Sequence, residues 1–344
     1  MSELTGAQVQ ADGQAPLPTV VIGGYLGAGK TTLVNHLLRH AGGRRIAVLV
    51  NDFGEVDIDA DLIVGQDGEV LSLAGGCVCC SFGSDLVGTL MALPERSPTP
   101  EVVLIELSGV ALPAAVVRSA RLVPGIDVVG TLVVLDAADV ARQAADRYVG
   151  DTVRQQLADA DLLLLNKTDL VDAAALPALR HALQALAPRA AWLPGAVAEL
   201  PVELVLGWRH DPASDATGHD GPGTAAASVA AFASRPIAPT AGPAATKRAE
   251  AVFATRHAPL PTGTDLAALG RALVQPGLGV LRAKALAVDA AGQGQLLQVV
   301  GARWRVTPSR VAGPGRLVVI GLRGTVDGPG FGVQGLQFGA DPQG

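Results

Sequence analysis

A chain of 344 residues with 49% hydrophobic side chains is long enough for two domains and can fill a sizeable core. Its mean hydropathy is +0.36, yet charges break the apolar runs well short of the ~20 residues that a membrane helix needs, and no charged-then-apolar leader opens the chain. The formal net charge of −6 disfavours nucleic acid as a partner, so the expectation is a cytoplasmic protein engaging neither nucleic acid nor membrane.

Residues 1–16 are polar and patternless and are expected to be disordered. Leu17–Ile22 is the first continuous apolar run, and it reads as a buried strand. It feeds GYLGAGKT (24–31), which fits G-x-x-x-x-G-K-[ST] and opens a helical pattern, KTTLVNHLLRH, with Leu33, Leu37 and Leu38 apolar. The glycines let the backbone curl so that its N–H groups face phosphate oxygens, and the helix dipole favours the anion. The expected nucleotide-binding residues are Gly24, Gly27, Ala28, Gly29, Lys30, Thr31 and Thr32. Lys30 would reach the β- and γ-phosphates, and the Thr31 hydroxyl would ligate Mg²⁺. His36 and His40, four apart, could pair on one helix face as a solvated or partly packed couple.

A second strand, Arg45–Val50, precedes NDFGEVDIDADL (51–62). This acidic stretch is either a solvated loop or a switch segment that orders around Mg²⁺ and positions the attacking water, with Asp52 and Glu55 the leading candidates. GGCVCC (75–80) then holds all three cysteines, Cys77, Cys79 and Cys80. An odd count at such close spacing argues against a disulfide framework. Metal binding, a redox pair and a buried apolar cluster all remain open. Three thiolates suit Zn²⁺ or Cu(I) and leave one coordination position free.

The strand Val102–Leu107 runs into LIELSG (104–109), whose Glu106-x-x-Gly109 stands where many GTPases carry D-x-x-G, the acid holding Mg²⁺ through water and the Gly109 N–H sensing the γ-phosphate. Thr131–Leu135 is a further strand, and DTVRQQLADA (151–160) reads as a helix. Leu162–Leu165 ends in NKTD, with Asn166, Lys167 and Asp169 in an N-K-x-D arrangement. A carboxylate there accepts hydrogen bonds from guanine, which adenine cannot supply, so Asp169 should select GTP, while the Lys167 stem packs on the base and Asn166 holds the loops together. Lys30, Asp52, Glu55 and Glu106 form the expected catalytic set.

Strands alternating with helices define a doubly wound α/β P-loop domain with a mostly parallel sheet over 17–206. Residues 207–246 have the Ala, Gly, Pro and Ser content of a flexible linker, with His210 and His219 too far apart to make a metal site. A small α+β domain is expected over 247–325, from strands in AEAVFATR, VLRAKALAVD, LLQVVGARWRV and RLVVIGLRG and a helix in GTDLAALGRALVQ. Residues 326–344 are a glycine-rich tail.

In this order, the phosphate loop, NDFGEV, GGCVCC, E-x-x-G and NKTD closely resemble the CobW-type GTPases, a family of metal-handling proteins that includes zinc metallochaperones. That family typically reads G-F-L-G-A-G-K-T-T, N-E-F-G-E, G-C-x-C-C, E-T-T-G-x-A-D-P and N-K-x-D, then R-A-K-G in a small C-terminal domain. The resemblance implies a GTPase that binds GTP and GDP with Mg²⁺ and carries Zn²⁺ on Cys77, Cys79 and Cys80, its metal site coupled to the nucleotide state. It implies a metalloprotein client and leaves a homodimer open. Co²⁺ or iron handling within the same family, a redox-sensing regulatory GTPase and a non-enzymatic nucleotide-dependent scaffold are the alternatives. Asp52 replaces the usual Glu, Leu107 a Ser or Thr, Leu112 an acid and Ala285 a glycine. With no arginine finger evident in the switch segments, hydrolysis is expected at ~10⁻³–10⁻² s⁻¹.

Overall fold

The computed structural model describes residues 16–50, 69–72, 84–193, 196–197, 200–207, 252–309, 315–328, 331–333 and 336. Strands β1 (Leu17–Gly23), β2 (Ile46–Val50), β3 (Glu69–Ser72), β4 (Val102–Glu106), β5 (Ile126–Asp136), β6 (Leu162–Asn166) and β7 (Ala191–Leu193) form a parallel sheet in the order β3-β2-β4-β1-β5-β6-β7. Helices cover both faces, which is why the strands are apolar on both sides. Leu33, Val34 and Leu37 of α1 (Lys30–Arg39) pack with Val20, Ile22, Val48 and Leu104 on one face. The other face carries α2 (Ser84–Ala92) and α3 (Pro113–Arg121) over Val21, Leu49 and Ile105, and α4 (Val140–Ala145), α5 (Gly150–Asp159) and α6 (Leu176–Leu186) over Val133, Leu135 and Leu163. β1 lies between β4 and β5, so the strand order reverses beside it, where such sheets open a crevice at the carboxyl ends of their strands.

The expected strand Thr131–Leu135 is the second half of a longer one. β5 starts at Ile126 because Ile126 and Val128 also bury, against α3. β3 and β7 were not evident in the sequence; each is only a few residues long and sits at a sheet edge.

After α7 (Val202–Leu206), the second sheet is antiparallel, ordered β11-β10-β9-β12-β8 from β8 (Phe253–Leu260), β9 (Val280–Val288), β10 (Gly294–Val300), β11 (Arg303–Pro308) and β12 (Gly315–Leu322). LLQVVGARWRV is therefore not one strand. Gly301, at φ 55, reverses the chain, and β10 and β11 pair as a hairpin. One face of this sheet buries Ala283, Ala285, Leu297 and Val319 beneath α8 (Leu266–Leu273), whose start is capped by Asp265 accepting from the N–H groups of Ala267 and Ala268. Ala285, where the family that the sequence resembles typically has glycine, is 1% exposed in that core.

The other face meets the first sheet. Phe253, Leu281, Val300 and Ile320 join the core that contains α1. Gly130 of β5 makes room for Val300: a Cβ there would lie 2.9 Å from a Val300 methyl. Polar contacts flank this seam. Arg303 pairs with the buried Asp161 at 2.6 Å, Arg305 pairs with Asp127, and Gln298 donates to Asp127 at 3.0 Å. Arg282 of β9 donates to the Leu204 and Val205 carbonyls at 2.8 and 2.7 Å, and Arg44 donates to the Gly207 carbonyl. These are the orphan carbonyls at the C-terminus of α7, where cations are also favoured by the helix dipole.

Candidate functional site

The crevice beside β1 is an open cleft of about 370 Å³ lined by two loops and the end of β2, among them Gly27, Gly29, Lys30, Thr31, Glu106 and Gly109, and a third loop is tied to the first. The first loop turns on Gly24, Gly27 and Gly29, with φ of 135°, 73° and 108°. Gly24 has no room for a side chain, since a Cβ would strike the Val134 carbonyl. Gly29 is equally constrained, because a Cβ would lie 2.5 Å from Asn166 Nδ2. Ala28 is buried, Thr32 is exposed, and Lys30 is buried with its Nζ donating to the Tyr25 carbonyl at 3.3 Å.

The second loop follows β4. Glu106 is 2% exposed and accepts from the Thr31 hydroxyl at 2.8 Å. A hydroxyl and a carboxylate oxygen held side by side in a phosphate-sized cleft are the hard donors that Mg²⁺ prefers, so these residues fit the ion. Gly109 presses on the first loop: a Cβ would lie 2.7 Å from the Leu26 nitrogen. Leu107, where the family that the sequence resembles typically has Ser or Thr, is 1% exposed and packs with Val116 and Ala120 of α3, so its apolar character serves the core. Leu112 precedes the first residue of α3 and offers no side-chain cap; instead Asp159 of α5 accepts from the Ala114 N–H at 2.9 Å.

The third loop follows β6. Asn166 Nδ2 donates to the Ala28 carbonyl at 2.9 Å and so ties this loop to the first. Lys167 is the one non-glycine residue at positive φ among the described residues, at 57°. Its ammonium pairs with Asp136 at the end of β5, 2.7 Å away, and Asp136 also accepts from the Ala138 N–H at 3.0 Å. Asp169 stands exposed in the tight turn Thr168–Leu170.

The expected residues Asp52 and Glu55 lie outside the described residues, as do Cys77, Cys79 and Cys80. Among the described residues, no group of three or more His, Cys, Asp or Glu side chains gathers as a metal site. His36 and His40 do pair, with ring centroids 4.4 Å apart and planes tilted by 41°, but His36 is buried and its Nε2 contacts the Leu200 carbonyl at 2.9 Å. Burial, with smaller contributions from His40 and Arg39, lowers its pKa, and the Leu200 carbonyl opposes that shift.

Two residues of the site escaped the sequence reading. Asp136 sets the Lys167 ammonium, and its signal was an acid closing an apolar strand. Gln156 of α5 donates to the carbonyls of Gly109 and Ala111. Its signal was an amide on the same helix face as Val153 and Leu157.

A parallel doubly wound sheet with a glycine loop at its switch point, an acid ending the neighbouring strand and an N-K-x-D turn tied to that loop defines a P-loop nucleotide-binding protein of the GTPase class. Residues 18–194 match the nucleotide-binding domain of the CobW/HypB/UreG family, and the chain belongs to that family. It is 36% identical over 195 residues to the zinc chaperone CobW of a Sinorhizobium species, covering 48% of this chain and 55% of that protein. It is also 36% identical over 225 residues to the zinc chaperone CobW of Pseudomonas aeruginosa, covering 56% and 60%. The chain thus spans just over half the length of these curated relatives. The Zn(II)-bound YjiA GTPase from E. coli aligns with a TM-score of 0.43 at 19% identity, over 90% of this chain and 95% of that one, a likeness too loose to argue from.

Proposed function

We propose that the protein hydrolyses GTP and handles a metal ion, carrying zinc as cargo on Cys77, Cys79 and Cys80 to a metalloprotein client, with metal affinity set by the nucleotide. The observation that carries the nucleotide half is the Asn166–Ala28 hydrogen bond. It joins the turn bearing Asp169 to the phosphate loop, so base and phosphates would be read by one connected frame. Lys30 would neutralise the phosphates. Mg²⁺, held through Thr31 and Glu106, would offset charge on the β- and γ-phosphate oxygens. Asp52 or Glu55 would position the attacking water. The metal half is supported by the three thiols within four positions, a set suited to Zn²⁺, and by the relatives named as zinc chaperones. On this reading the GTPase unit spans 17–206 and the C-terminal unit 247–325, and the protein works in the cytoplasm, where its thiols stay reduced.

The test is Zn²⁺ affinity by competition with a chromophoric chelator on reduced protein, with GDP and with a non-hydrolysable GTP analogue. The reading expects stoichiometric binding that differs between nucleotides and is lost in Cys79→Ser. Binding indifferent to both would sink it for zinc, and Co²⁺ would then be tested the same way. In parallel, Asp169→Ala should lower GTP affinity roughly 10–100-fold, through loss of hydrogen bonds to a charged acceptor, and leave ATP affinity unchanged.

A further inference from the structure

Gln156 is 1% exposed, on the sheet face opposite α1. Its Nε2 donates to the Gly109 carbonyl at 3.1 Å and the Ala111 carbonyl at 2.9 Å, so both amide hydrogens are engaged. The Ala111 N–H in turn donates to the Ser108 carbonyl at 3.0 Å, closing a turn with Gly109 and Val110 at its corners. In a trans peptide the N–H points opposite the preceding carbonyl. The Ser108–Gly109 plane is therefore fixed by Ala111, and the Gly109–Val110 plane by Gln156. The Gly109 N–H lies in the first plane, and Gln156, by holding the second plane and the Ala111 carbonyl, fixes the turn whose closure sets that N–H. Gly109 also rests on the phosphate loop, 2.6–2.7 Å separating its would-be Cβ from atoms of Leu26. None of the residues lining the cleft belongs to α5.

We propose that Gln156 is a positioning residue for nucleotide discrimination: from behind the sheet, it holds the Ser108–Ala111 turn so that the Gly109 N–H meets the γ-phosphate. The inference rests on the nucleotide reading above. A bound amide on the apolar face of a helix is costly unless both its hydrogens find acceptors, and here both acceptors belong to the turn that would tell GTP from GDP. GDP, lacking the γ-phosphate, makes no use of that N–H. Loss of the clamp should therefore weaken one nucleotide and spare the other. A purely structural role, filling the core and satisfying two carbonyls, would weaken both or neither.

The experiment measures the affinities of GDP and a non-hydrolysable GTP analogue for the full chain and for Gln156→Met, which keeps side-chain length without donors. The analogue should lose about tenfold, as for one hydrogen bond to a charged group, while GDP stays within about twofold. Equal losses, or none, overturn the inference and leave the nucleotide reading standing. Should Gln156→Met not fold, Gln156→Asn retains the amide one methylene short of the turn, and its affinity ratio is judged by the same criterion. Asp159→Ala, which releases the Ala114 N–H on the same segment, should leave the ratio unaltered; an equal shift there would assign the effect to α5 packing and overturn the role of Gln156. If the wild-type chain binds neither nucleotide, both readings fall together.

Discussion

Single residues carry most of the constraint around the cleft. Gly29 sits at φ 108 with the Asn166 amide where a side chain would begin. Gly29→Ala combines backbone strain of about 1–3 kcal/mol with a clash against the Asn166–Ala28 tie. The expected result is a lower melting temperature and loss of nucleotide binding, read by calorimetry; unchanged GDP affinity would show that the tie is dispensable. His36 makes a pH argument at the same scale. Burial lowers its folded pKa below 6.5. Above pH 6.5 the imidazole is neutral in both folded and unfolded chains, and its full contribution to stability is present. As pH falls below 6.5 the unfolded chain takes the proton first, so stability declines until the lowered folded pKa is reached. Relative to wild type, His36→Gln should flatten this decline in a pH series of thermal melts, since its amide can still donate to the Leu200 carbonyl. Parallel curves would mean that His36 titrates alike in the folded and unfolded chains, so that its burial does not lower its pKa.

Elements show what the sequence could and could not reveal. The phosphate loop and the N-K-x-D turn were legible because their backbone shapes demand residue types: glycine at positive φ, an amide that reaches across, an acid at a strand end. Gln156 was not legible as a clamp, because its partners are carbonyls and a carbonyl leaves no mark in the sequence. The β10–β11 hairpin was missed for a related reason. The apolar residues of β10 lead across Gly301 into alternating Trp304 and Val306 and so read as one run, and the break comes from the positive φ of Gly301 and its close approach to the Asp161 carbonyl. The same hairpin predicts a steric result. Val300 rests over Gly130 of β5, so Gly130→Val should wedge hairpin and sheet apart, at about 1–3 kcal/mol of overpacking. Denaturant titration would show it as a lowered midpoint. Pairing the change with Val300→Ala should recover part of the loss; if the double variant is no better than the single, β10 does not seat on β5.

At the scale of the whole molecule, the two sheets share one core. The gap at their seam, among Val20, Gly130, Leu204, Arg282 and Val300, is only about 10 Å³. Arg282 is the polar centre of that seam. Burial, with the nearby Arg44, brings its pKa down to about 10, so the guanidinium stays charged at neutral pH while gripping the last carbonyls of α7. α1 begins at Lys30, which ends the glycine loop, and carries His36, whose ring contacts Leu200 just before α7. A continuous path of packed residues therefore runs from the nucleotide loop to the second sheet, and the two should unfold together. Tryptophan offers a probe on each side: Trp192 lies in β7 and Trp304 in β11. In variants keeping one or the other, denaturant midpoints should coincide, and GDP should raise both, by RT ln(1 + [L]/Kd). Arg282→Leu leaves the Leu204 and Val205 carbonyls buried without this donor, a cost of about 1–3 kcal/mol each. Trp304 should then report unfolding before Trp192, and GDP should protect only the Trp192 signal. Midpoints that already differ in the unaltered chain would mean that the shared core does not couple the sheets. Coupling that survives Arg282→Leu would assign it to the apolar contacts of Phe253, Val300 and Ile320 alone.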